Sequence, residues 1–124
     1  MENGLTFFFD SYALIEIYKA NPNYSKYADA RVITTYFNLL EAYYSIRKTK
    51  SVEESEEFFN TIKRLCIKLN FEWIKKVTDF RLKYTKREFS YIDCLGYIIA
   101  KEMSIKFLTG DKQFKDLDNV EFVK

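Results

Sequence analysis

Four short β-forming runs constrain this chain most. They are L-T-F-F-F at Leu5 to Phe9, R-V-I-T-T at Arg31 to Thr35, I-K-F-L inside Ser104 to Thr109, and V-E-F-V at Val120 to Val123. Each is too short for a stable helix, is rich in aromatic or β-branched residues, and reads as a strand, the last one at an edge. Longer stretches with apolar residues three and four apart lie between them. Asp10-Ser11 opens a helix over Tyr12 to Lys19, which Asn21-Pro22-Asn23 ends, and a short helix follows at Tyr24 to Asp29. Tyr36 to Lys48 is helical, with Tyr36, Phe37, Leu40, Tyr43 and Tyr44 at core spacing. Ser51 and Glu54 form a capping box for a helix to about Lys68, whose inner stripe is Phe58, Ile62 and Leu65. Asn70 to Trp73 reads as a further strand and Val77 to Lys86 as a helix. Ser90 and Asp93 form a second capping box, opening a helix to Met103. Short apolar strands separated by helices imply an α/β fold with a parallel sheet covered on both faces.

Composition narrows the chemistry. A chain of 124 residues has room for one core, so a single domain over 1–124 is expected. With 48% hydrophobic and 31% charged residues the chain is expected to fold rather than stay disordered. No apolar run reaches membrane-spanning length, and Met1 to Asp10 carries no basic segment of the kind that opens a signal peptide, so a cytoplasmic protein is expected. Cys66 and Cys94 lie far apart, form no C-x-x-C, and are expected to be reduced core thiols. The histidine count is zero. That excludes Ser-His-Asp and Cys-His nucleophile systems, histidine acid–base pairs and His-ligated zinc. Any catalysis must rest on carboxylates, Lys, Tyr, hydroxyls or a hard metal ion. The net charge of +2 is too balanced to mark a nucleic-acid binder by itself.

Ligands of open parallel sheets bind beyond the carboxyl ends of the strands. Asp10 follows the first strand and Asp111 follows I-K-F-L. Glu41 lies in the helix after the second strand, and Asp93 lies in the first turn of the helix before the I-K-F-L strand. If these four carboxylates converge, their repulsion calls for a cation, and an all-oxygen donor set selects Mg²⁺ or Mn²⁺. Local roles compete with that reading. Asp10 can N-cap its helix, Asp93 can serve only its capping box, and Asp111 can cap a turn at Gly110-Asp111-Lys112. Glu41 has no basic residue three or four positions away, and its flanks are Leu39, Leu40, Ala42 and Tyr43, unusual company for a surface glutamate.

F-F-F-D-S at the first strand, the helical Glu41, S-Y-I-D-C-L-G-Y-I-I-A and F-L-T-G-D-K-Q-F together resemble the PIN-domain family, which includes the VapC-type toxins of toxin–antitoxin pairs. The resemblance spans essentially the whole chain, and T-G-D-x-x-F at Thr109 to Phe114 is its most specific part. It implies a three-layer α/β/α sandwich around a short, mainly parallel sheet, and a Mg²⁺- or Mn²⁺-dependent endoribonuclease. Asp10, Glu41, Asp93 and Asp111 match the acidic quartet, and Ser11 and Thr109 match hydroxyl positions beside the metals. Asp116 is a possible helper of the last acid. The implied reaction is hydrolysis of an RNA phosphodiester by a metal-activated water, leaving 5′-phosphate and 3′-hydroxyl ends.

Lys112 and the run Lys83 to Arg87 are candidates for flanking phosphates, although solvated lysines are the simpler reading of Lys83 and Lys86. The 10 Tyr and 12 Phe exceed what one small core needs and imply an exposed apolar patch, buried in a homodimer, against an antitoxin, or both. Other Mg²⁺-binding families fit poorly: a haloacid-dehalogenase phosphatase needs D-x-D, and Tyr12 breaks it; a response-regulator receiver needs a paired acid beside Asp10. A housekeeping RNA-processing nuclease and a non-catalytic PIN-like scaffold remain the alternatives to a toxin.

Overall fold

The computed structural model describes residues 5–124. Strand β1 (Thr6–Phe9) leads into α1 (Ser11–Tyr18), a 3-10 turn (Pro22–Tyr27), β2 (Arg31–Ile33), α2 (Tyr36–Arg47), α3 (Val52–Lys63), α4 (Glu72–Lys83), α5 (Tyr91–Glu102), β3 (Lys106–Thr109), a second 3-10 turn (Lys112–Phe114) and β4 (Val120–Phe122). The strands lie in the order β2-β1-β3-β4, and every pair is parallel. The register sets Phe8 beside Ile33 on one flank and Phe107 on the other.

Side chains alternate across a strand, and that alternation builds two cores. Phe7, Phe9 and Leu108 pack with α1, α2 and α3. Phe8, Ile33 and Phe107 pack with α4, α5 and Phe114. The result is a three-layer α/β/α sandwich. Helix α5 approaches the sheet closely at Gly96, where a Cβ would stand 2.7 Å from the Phe8 ring and 3.0 Å from the Phe107 ring. Stacked and edge-on rings fill the α5 side, with Phe89 and Phe114 centroids 4.3 Å apart. Because all four strands run one way, their carboxyl ends share one edge.

Four expectations need correction. Asn70 to Trp73 is not a strand. The Asn70 side chain accepts from the Glu72 N–H at 2.9 Å, and this turn starts α4 five residues before Val77, where the sequence pattern placed it. The chain meets the sheet earlier, where Ile67 N–H donates to the Thr34 carbonyl at 3.0 Å beside a bridge between Thr34 and Cys66. That extended approach stops α3 at Lys63 rather than Lys68. On α2 the buried stripe is Asn38, Leu39, Ala42 and Ile46, while Tyr36, Leu40 and Tyr44 are 59%, 64% and 66% exposed. Both stripes have helical spacing. The Thr35 cap and contacts with α1 and α3 on one side decide which turns inward. On α3, Phe58 and Ile62 are buried and Leu65 is half-buried, as the periodicity predicts.

Candidate functional site

The shared carboxyl edge holds a pocket of about 460 Å³ lined by Asp10, Ser11, Tyr12, Asp93, Gly110, Asp111, Lys112 and Lys124. Each aspartate reaches it from an element end, and each uses oxygen to cap that element. Asp10 Oδ1 accepts from the Ala13 N–H at 2.8 Å and caps α1. Asp93 accepts from the Ser90 N–H at 3.3 Å while Ser90 Oγ accepts from the Asp93 N–H at 3.0 Å, completing the capping box of α5. Asp111 Oδ1 accepts from the Gln113 N–H at 3.0 Å and caps the second 3-10 turn. Local capping and convergence are therefore not rival roles. The caps hold the carboxylates in place at the pocket.

Thr109 joins two of them. Its fully buried hydroxyl donates to Asp10 Oδ2 at 2.5 Å and accepts from the Asp111 N–H at 3.0 Å. Glu41 enters from α2. Its Oε1 accepts from Ser11 Oγ at 2.5 Å, so an exposed glutamate is tied to the residue next to Asp10.

Burial is the main electrostatic fact here. Asp10 is 4% exposed, and burial pushes its carboxyl up to about 7 against the hydrogen bonds from Thr109 and Ala13, with Asp93 and Asp111 adding repulsion. Asp93 is raised too, first by burial and then by Asp111 and Glu41. Asp10 is thus repelled by Asp93 and Asp111, and Asp93 by Asp111 and Glu41. Asp116 stands apart: both its oxygens accept from the Arg87 guanidinium, at 2.8 and 2.7 Å, and it does not line the pocket. It is not positioned to help Asp111. The same fork commits Arg87, which also donates to the Gln113 carbonyl at 2.6 Å, so Arg87 is not free for a phosphate.

The PIN-domain family model matches residues 7–120. This chain belongs to the PIN-domain family. No curated protein matches the sequence. Among solved structures, the PIN domain is similar to the Mycobacterium tuberculosis toxin VapC20, described as cleaving the sarcin-ricin loop, at TM-score 0.76 and 12% identity over 95% of this chain and 99% of that one. It is similar to a chain of a toxin–antitoxin complex from Klebsiella pneumoniae, at TM-score 0.75 and 13% identity over 92% and 94%. It is also similar to a chain of VapBC2 from Rickettsia felis bound to a fragment of promoter DNA, at TM-score 0.70 and 14% identity over 97% and 100%.

Three residues of this PIN domain's site escape sequence reasoning. Tyr12 walls the pocket because Gly110 lets it: a Cβ on Gly110 would fall 2.1 Å from the Tyr12 ring, which explains the glycine of T-G-D. Lys124 sets its ammonium 5.6 Å from the centre of that ring, and Asn23 and Tyr24 hold its segment by bonds to the Lys124 and Val123 carbonyls. A signal for Lys124 existed, since it lies two residues beyond β4 and a parallel strand ends at the same edge as the others. Asn38, buried in α2, donates to Ser11 Oγ at 3.2 Å and carried no signal as a polar residue in an otherwise apolar stripe.

Among the described residues, no group of three or more His, Cys, Asp or Glu side chains already stands as a metal cage. The donor chemistry still fits a hard divalent cation. The ligating atoms are oxygens only, three of the acids line one pocket, and among the described residues buried Asp10 has no cationic partner in its hydrogen bonds. Among the described residues no helix is long and apolar enough to cross a membrane.

Proposed function

We propose that this PIN domain is a Mg²⁺- or Mn²⁺-dependent endoribonuclease and the toxin half of a VapBC-type pair. One observation carries the reading: Asp10, Asp93 and Asp111 line a single pocket at the carboxyl edge of the sheet, with Glu41 tied to it through Ser11. Asp10, Asp93, Asp111 and Glu41 would hold the ions. A bound divalent cation supplies Lewis-acid chemistry, offsetting charge on the phosphate and acidifying a water.

The chain's own residues do the rest. Asp10, buried and held by its bonds to Ala13 and Thr109, would present a fixed carboxylate to the ion. Thr109, buried against Asp10 and the Asp111 backbone, holds those two acids in register and does not line the pocket, so it positions ligands rather than touching RNA. Lys112 and Lys124 at the pocket lend positive charge for the phosphates on either side of the scissile bond. With no histidine in the chain to activate a 2′-hydroxyl, hydrolysis leaving 5′-phosphate and 3′-hydroxyl ends is the expected outcome. The exposed apolar stripe Tyr36, Leu40 and Tyr44 is the surface for protein partners, a second copy or an antitoxin. The relatives' description as toxin–antitoxin complexes supports the antitoxin.

The test is cleavage of end-labelled RNA by the purified chain with Mg²⁺, with Mn²⁺ and with excess EDTA, beside Asp10→Asn. Cleavage that needs the metal and Asp10, with 5′-phosphate products, supports the reading. Full activity in EDTA overturns it. Metal binding without any cleavage favours the scaffold alternative.

A further inference from the structure

Asn38 is the odd residue of α2. It is 2% exposed in a stripe whose other members are Leu39, Ala42 and Ile46, and a buried carboxamide is costly unless its polar atoms are bonded. Its bonds have one consistent direction. Thr35 Oγ1 accepts from the Asn38 N–H at 3.3 Å, as the N-cap of α2, so the hydroxyl proton is free to go to Asn38 Oδ1 at 2.7 Å. That assigns the oxygen end of the carboxamide to Thr35 and turns the Nδ2 end to Ser11, 3.2 Å away. Ser11 Oγ then accepts from Asn38, and its single proton has two acceptors in reach: the Asn38 carbonyl at 3.4 Å and Glu41 Oε1 at 2.5 Å. The short contact to a carboxylate is much the stronger.

We propose that Asn38 is a positioning residue for the carboxylate site: through Ser11 it fixes the exposed Glu41 side chain toward the pocket, leaving Glu41 Oε2 to face a ligand. Ser11, on this account, acts on Glu41 rather than on RNA. The physical need is clear. Glu41 lies on a helix surface with no basic neighbour at pairing distance, and a free glutamate there would sample several rotamers. The relay starts from groups that are fully or almost fully buried, Thr35 and Asn38, and so carries the rigidity of the α1–α2 contact out to a mobile type of side chain. A leucine at position 38 has the same branched outline without the polar atoms, so an apolar packing role alone does not call for an asparagine.

The consequence for metal binding rests on the proposed function. The orientation of Glu41 does not, and the test keeps them apart. Side-chain three-bond couplings report χ1 of Ser11 and Glu41 in the metal-free protein, and calorimetric titration reports Mn²⁺ affinity. The wild type is expected to show one χ1 rotamer at both residues, and Asn38→Leu averaged rotamers at both. Mn²⁺ affinity in Asn38→Leu is expected to fall about tenfold to a hundredfold, the range seen when groups behind metal ligands are removed. In a Glu41→Gln background, adding Asn38→Leu is expected to cost no further affinity, because its effect passes through Glu41. Ser11→Ala cuts the same relay from the half-buried end, with no change in the core, and leaves the Glu41 couplings and Mn²⁺ affinity as readouts if Asn38→Leu does not fold. Unchanged Glu41 couplings in these variants overturn the proposal whatever the metal does. An affinity loss that adds fully to that of Glu41→Gln overturns it too. A wild type that binds no Mn²⁺ overturns the metal reading instead, while the couplings still decide whether Asn38 orients Glu41.

Discussion

Thr109 Oγ1 donates to Asp10 Oδ2 at 2.5 Å, joining the ends of β3 and β1 across 99 residues of chain. Both residues are buried, and the same hydroxyl accepts from the Asp111 N–H. Thr109→Val keeps the shape and removes both bonds. A hydrogen bond to a buried charged group contributes about 1.5–3 kcal/mol. The variant is expected to lose stability in that range in EDTA melts and to bind Mn²⁺ more weakly, whereas Thr109→Ser keeps both properties. A valine variant with unchanged melting and metal affinity would show that the hydroxyl positions nothing.

Asp10 makes the metal-free protein sensitive to pH in a defined direction. Burial raises its carboxyl from 3.8 to about 7 in the folded state. Between those values the folded state binds more protons than the unfolded state, so stability falls as pH rises. The contribution is complete below about pH 4 and lost as pH passes about 7. Melting temperature in EDTA is expected to drop between about pH 5 and about pH 8. Asp10→Asn flattens that slope without abolishing it, because Asp93 is pushed the same way. At the alkaline end, Mg²⁺ is expected to raise the melting temperature of the wild type more than that of Asp10→Asn. A flat wild-type profile would contradict the burial argument.

The strands were legible because short aromatic and β-branched runs between helical stretches leave few alternatives. Placing Asp10 and Asp111 at the carboxyl edge followed from strand direction alone. What escaped was decided by tertiary contact. Two helical stripes compete on α2, and only packing against α1 and α3 chooses Leu39, Ala42 and Ile46 over Tyr36, Leu40 and Tyr44. Asn70 looked like part of a strand because Phe71 and Trp73 follow it, yet its side chain prefers the turn that starts α4. Asn38 joins the site through Ser11, a partner far away in sequence that no local pattern announces, and Lys124 meets Tyr12 there although only its place after the last strand hinted at it.

Glu41→Gln separates a ligand from a structural residue. The amide oxygen still accepts from Ser11, and the side chain is exposed, so EDTA melts are expected to match the wild type or exceed it slightly. Cleavage is expected to fall about a hundredfold or more, since a lost metal ligand removes several kcal/mol at ~1.4 kcal/mol per factor of ten. A clearly destabilised variant that cuts RNA normally would make Glu41 structural.

Asp116 gives the opposite expectation. The Arg87 fork holds its carboxyl below the ordinary range, so its contribution is present above the ordinary carboxylate pKa and is lost as pH falls through the lowered value. The pair is solvent-exposed and adds little stability. Asp116→Asn should therefore leave Mn²⁺ affinity and RNA cleavage within about twofold of wild type, the scale of a change away from the site. A tenfold loss of metal affinity would put Asp116 back among the ligands.

The α2 stripe makes the last prediction. Tyr36, Leu40 and Tyr44 follow at intervals of four, so they share one helix face, and all three are more than half exposed. An apolar pocket of about 450 Å³ with Phe37, Leu39, Tyr43 and Phe59 in its lining adjoins that face. Leaving such a surface in water is unfavourable at about 25 cal/mol per Å² of apolar area, which favours covering it, and in the purified protein the available cover is a second copy. Light scattering at micromolar concentration is expected to give a dimer for the wild type and a monomer for Leu40→Glu. Because Leu40 is already exposed, the monomeric variant should still fold, and a far-UV melt checks that it does. A wild type that stays monomeric across the micromolar range would leave this face to a different partner and count against self-association.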